Sequence, residues 1–217
     1  MAKKSSTEDY ESPIIAAGEV VFNILMLTVL WFICSLPVVT IGASTAALDY
    51  TCIKMRNDEG SSIVRLYFTS FAANIRQGAI LGTGMLAVLI ILSAFLIQSV
   101  GNANAGHSVY VAVSVIVMLL LLVWLLLFVY IFMVLSRFDN TLLRTVTNAV
   151  YLILKEPFRA AKVLFSTVVM LIVLPLFLFV YFPYGFPMVI FFGVPTTAYI
   201  LAKEFNELFA QFIPAQE

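Results

Sequence analysis

Three stretches of this chain, at positions 20–48, 77–136 and 163–202, contain no Asp, Glu, Lys or Arg. They decide most of what it can fold into. A helix crosses the hydrocarbon core of a bilayer with about 20 apolar residues. By length the three tracts hold one, two and two crossings, near 20–41, 78–99, 109–135, 163–182 and 187–203. Breaks fall at "GNANAGHS", 101–108, and at "FPYGFP", 182–187. Lipid offers the backbone no hydrogen-bond partner, so only helices and closed barrels cross it. Runs such as "VMLLLLVWLLLFVYIFMVL" lack the alternation of a barrel strand. Composition agrees: 62% of residues are hydrophobic and 11% charged, against about 25% charged in soluble domains. The expectation is an all-α integral membrane protein, with about five transmembrane helices forming one domain over residues 14–217. A polar tail, residues 1–13, precedes it, and its charged make-up predicts disorder.

Charge placement predicts orientation. Segment 42–77 carries Lys54, Arg56, Arg65 and Arg76, and segment 136–162 carries Arg137, Arg144, Lys155, Arg159 and Lys162. The short turns 100–108 and 183–186 carry neither Lys nor Arg. Positive loops stay on the cytoplasmic side. Both long connectors and the C-terminus, with Lys203, are therefore expected inside the plasma membrane, and parity places the N-terminus outside. A re-entrant first tract would instead leave the N-terminus inside. Phe179, Tyr181, Phe182, Tyr184 and Phe186 fit an outer interfacial belt. "STA" before Ala47 resembles a signal-peptide cleavage site, but the apolar run before it is far longer than a signal core. Cys34 and Cys52 read as free structural thiols.

The connectors carry helical stripes. Ile63, Val64, Tyr67, Phe68, Phe71 and Ile75 recur at three- and four-residue steps, behind a turn at "NDEGSS" that offers Ser62 as a cap. Leu142, Leu143, Val146, Ala149, Val150, Ile153 and Leu154 repeat the design before Pro157. Two amphipathic connector helices are thus expected. They either lie flat among the inner headgroups or dock onto a partner. Arg65, Arg76, Arg144 and Arg159 are the candidate contacts to anionic lipid or partner.

The first tract ends in "SLPVVTIGAST", 35–45. Pro37 removes an amide donor; Gly42 and Ser44 permit close helix contact; Thr40, Ser44 and Thr45 can bond freed backbone groups. This reads as a helix elbow, or as the polar lining of a cavity mouth. "IGASTAALDY", 41–50, also resembles "FGVPTTAYIL", 192–201, pairing Gly42 with Gly193 and Thr45 with Thr196. That suggests a weak internal repeat, whose interface could build a site.

The block "NILMLTVLWFICSLPVVTIGASTAALDYTCIKMRNDEG", followed by "YFTSFAANIRQG", resembles the YesL-like family of bacterial membrane proteins. The matching positions are Leu36, Pro37, Thr40, the run Gly42–Leu48, Phe68, Ser70, Phe71 and Asn74. The resemblance implies a bacterial membrane domain of unknown function, commonly accompanying ABC-type carbohydrate uptake systems. It implies no residue-level mechanism.

The residues themselves offer little chemistry. No H-E-x-x-H, P-loop or G-x-S-x-G pattern occurs, and the single histidine, His107, sits in a turn. No lysine or carboxylate pair lies within a tract; Glu19 and Asp49 read as charges flanking the first one. The E-A-A block followed by glycine of an ABC permease is missing from 136–162. No enzymatic activity, catalytic residue, metal, cofactor or nucleic-acid partner is expected. The expected role is an accessory or assembly subunit beside the permease subunits of a carbohydrate ABC-type importer. The alternative is a small solute channel or carrier.

Overall fold

The computed structural model describes residues 13–57, 62–173, 175–176, 179 and 185–211. Residues 1–12 of the expected tail, most of the "NDEGSS" turn, and Tyr181, Phe182 and Tyr184 of the expected belt lie outside the described residues, while Pro13 already belongs to the first helix. Every element among the described residues is helical. Helix α1 is Pro13–Ser35; a 3₁₀ turn, Val38–Thr40, leads into α2, Ile41–Arg56. Then come α3, Ile63–Asn104; α4, Val109–Arg137; α5, Leu142–Lys155; and α6, Pro157–Val168, which runs into a π turn at Val169–Val173. Helix α7 is Gly185–Ala210.

Among the described residues, three stretches are long and apolar enough to cross a membrane: Ala17–Ser35, Ile63–Asn104 and Val109–Arg137. The break between the second and third falls where the glycine-rich turn predicts it, at 105–108, with Gly106 at φ +96°. Elsewhere the boundaries differ. The first helix starts before position 20 and stops at Ser35, because Pro37 cannot supply the amide that would continue it. The first amphipathic connector and the second tract are one helix of 42 residues, since nothing between Arg65 and Arg76 breaks the backbone. Ser62 sits at its N-terminus but makes no capping bond. The tract 163–182 holds the junction of α6 with the π turn, and 187–203 lies inside the longer α7.

Helix α2 occupies the centre. From Gly42 to Asp49, and again from Thr51 to Ile53, its residues are all buried. Its small side chains let α1, α3, α4 and α7 close around it. The closest approach is to α3. A Cβ on Gly42 would sit 2.1 Å from the Gly78 carbonyl oxygen, one on Gly78 2.5 Å from Ala43 N, and one on Gly82 2.8 Å from Gly42 N. Gly78 and Gly82 form a G-x-x-x-G pair, whose spacing puts both on one helix face. Larger side chains fill the remaining space: Leu27 from α1, Tyr67 from α3, Tyr130 from α4, Phe205 and Leu208 from α7. Tyr130 meets Phe205 edge-on at 4.9 Å between ring centres. Arg56 donates to the Tyr199 carbonyl at 3.1 Å and lies over its ring, tying the end of α2 to α7.

The two amphipathic stripes do not point wholly inward. Tyr67 is buried and Ile63 and Phe71 pack on the core, but Phe68 and Ile75 are exposed. On α5, Ala149 and Leu152 are buried, whereas Leu143 is 81% and Leu154 74% exposed.

Candidate functional site

Two constructions around α2 could carry function. The first is the elbow. In a continuous helix the Ile33 carbonyl would accept from residue 37; proline has no N–H, so Leu36 N–H donates to it instead, at 3.3 Å. Thr40 Oγ1 lies 2.6 Å from the Cys34 carbonyl and 2.7 Å from that of Pro37, within donating distance of both. Ser44 Oγ donates to the Trp31 carbonyl at 3.1 Å. Ser44 Oγ also lies 2.6 Å from Tyr67 Oη, which can donate to it. Trp31 Nε1 in turn donates to Thr45 Oγ1 at 3.3 Å. The hydroxyls of 40, 44 and 45 therefore staple the end of α1 to α2, and Tyr67 brings α3 into the same network.

The second is a cavity of about 240 Å³ between α2, α4, α6 with its π turn, and α7. Thr45, Leu48 and Asp49 line it from α2; Trp124 and Phe128 from α4; Thr167 from α6; Thr197 and Leu201 from α7. Each threonine hydroxyl donates to a carbonyl of its own helix: Thr45 to Ile41, Thr167 to Val163, Thr197 to Gly193. Trp124 Nε1 donates to the Met85 carbonyl at 3.0 Å, which fixes its ring as a wall. Asp49 is 6% exposed. Among the described residues nothing donates a hydrogen bond to its carboxyl or forms an ion pair with it. Burial raises its pKa well above the usual carboxylate range.

The elbow thus gathers Pro37, Thr40, Gly42, Ser44 and Thr45, and Thr45 belongs to the cavity as well. Gly193 is buried in α7 and accepts from Thr197, which lines the cavity; Thr196 is only half-buried and does not line it. Arg65, Arg76 and Arg144 are exposed. Arg159 instead turns inward, 4.0 Å from Glu204 and 3.9 Å from Glu207, beside a Lys162–Glu204 pair. His107 is exposed, ring to ring with Tyr110. Both cysteines are free.

The reading of Asp49 as a flanking charge is overturned: it lies inside the bundle. Position relative to the apolar tract misled, because α2 folds back among the long helices. The G-x-x-x-G at 78–82 was the available signal for such a close partner helix. Nothing in the sequence marked Trp124, Thr167 and Thr197 as neighbours of Asp49.

These features define an all-helical bundle with membrane-length apolar helices around a buried helix of small and polar residues. Residues 24–94, from α1 through α2 into α3, match the model of a family described as a protein of unknown function, DUF624. No curated protein and no solved structure matches the chain.

Proposed function

We propose that this chain is a non-enzymatic, multi-pass protein of the bacterial plasma membrane, with five spans and both long connectors on the cytoplasmic side. It serves as an accessory or assembly subunit beside a permease subunit of a carbohydrate ABC-type importer. The observation that carries the reading is the outer face of α5 and α6. Leu143, Tyr151, Leu154 and Phe158 are all more than half exposed there, with Phe158 at 92%. Arg144, Lys155 and Lys162 lie exposed among them. A solvated face would not present so much apolar area. The YesL-like resemblance supplies the partner class. The test is affinity capture from native membranes in mild detergent, with the natural chain and with Leu154→Asp/Phe158→Asp. An importer component should co-purify with the first and not with the second. Recovery of no importer component with the natural chain defeats the reading.

A second reading, a small solute carrier or channel, is favoured by Asp49 in its cavity, which has no partner among the described residues. Buried ionisable groups in membrane proteins commonly mark solute or ion pathways. Uptake by proteoliposomes containing this chain alone would establish it; impermeable vesicles would eliminate it.

A further inference from the structure

The Asp49 cavity has a definable ligand chemistry that does not depend on which of the two roles the protein plays. Its walls are mostly carbon, with Trp124 and Phe128 giving aromatic surface. Besides Trp124, whose N–H is taken by the Met85 carbonyl, the polar side chains among its lining residues are Asp49 and three threonines, Thr45, Thr167 and Thr197, contributed by α2, α6 and α7. Each hydroxyl spends its proton on its own helix, so toward an occupant it can act only as an acceptor, and Thr45 Oγ1 already accepts from Trp31 Nε1. The lining thus sets a few acceptors into an otherwise apolar wall and holds no fixed cation. A buried carboxylate without a partner must take a proton or a counter-cation.

Size narrows the choice. A cavity of about 150 Å³ lined by apolar side chains binds benzene, so about 240 Å³ admits a six-membered ring with one or two further heavy atoms. A bare metal ion would want more oxygens than this wall offers; among the described residues no three His, Cys, Asp or Glu side chains gather as ligands. A cationic head on an apolar body satisfies both parts of the lining: ion pair and hydrogen bonds at Asp49, ring contact and cation–π attraction at Trp124 and Phe128.

We infer that the space between α2, α4, α6 and α7 is a binding pocket for a small lipophilic ammonium ion, held by Asp49 against Trp124 and Phe128. The probe pair is benzylammonium and benzyl alcohol, nearly equal in shape and differing in charge. Calorimetric titration of the full chain in detergent should show benzylammonium bound at least about tenfold more tightly, the margin one charge-assisted contact supplies. Asp49→Asn, nearly isosteric, should abolish that preference and leave the alcohol unaffected. Equal affinity of the natural chain for both probes overturns the inference, and that comparison needs no variant to fold. Retention of the preference in Asp49→Asn overturns it too, since the amine would then sit elsewhere.

Discussion

At Gly42 there is no room for a methyl group: its Cβ would come 2.1 Å from a backbone oxygen that cannot swing aside. Gly42→Ala must push α2 off α3, and overpacking a tight core costs about 1–3 kcal/mol. Gly84, two residues past Gly82 on α3, faces open space, with nothing within 4 Å of where a Cβ would sit. Gly84→Ala should leave the midpoint of SDS-induced unfolding unchanged, whereas Gly42→Ala should lower it clearly. Asp49 yields a prediction with a definite sign. Its folded pKa is raised, so the unfolded chain ionises first as pH climbs past the ordinary carboxylate value. Stability is then fullest below that value and declines as pH rises toward the folded pKa. Melting temperature should fall with rising pH, and Asp49→Asn should flatten the profile. Gly42 was legible as a residue that permits close helix contact, but neither its partner helix nor the burial of Asp49 was. Gly42 depends on glycines thirty-six and forty positions later, and a lone aspartate after an apolar run looks like any membrane-edge charge.

At the scale of elements, sequence and structure agree where a local rule acts alone. The break at 105–108 and the helix end before Pro37 follow from glycine, proline and polarity over a few residues. They part where tertiary packing decides. The run Gly42–Asp49 is polar enough to read as an exit from the membrane, yet four neighbouring helices enclose it. Likewise Arg65 and Arg76 marked a connector by charge while the helix ran straight through them. The elbow offers a graded test. Thr40→Val and Ser44→Ala each remove a hydroxyl bonded to the end of α1, at about 1 kcal/mol apiece. Pro37→Ala restores an amide and favours a straight helix that would draw α2 out of its slot. Folding yield in membranes should fall more for Pro37→Ala than for either hydroxyl variant. An undiminished yield would show that α2 holds its place without the elbow.

For the whole molecule the decisive quantity is which side of the membrane each loop occupies. Under the five-span arrangement proposed above, Arg144→Cys is shielded in intact cells and His107→Cys is open. With Cys34 and Cys52 replaced, a membrane-impermeant maleimide should therefore label position 107 at once and position 144 only after permeabilisation. The opposite pattern inverts the proposed topology. Helix α3 bears on what such a topology can do. Forty-two residues in one unbroken helix extend about 63 Å at 1.5 Å per residue, twice the roughly 30 Å hydrocarbon depth. Whatever length lies beyond the lipid is a stiff arm. A lean of about 10° within the bilayer would sweep a tip about 30 Å beyond it sideways by roughly 5 Å, about one helical turn. A shift too small to notice among acyl chains would thus arrive outside as a displacement large enough to make or break a contact.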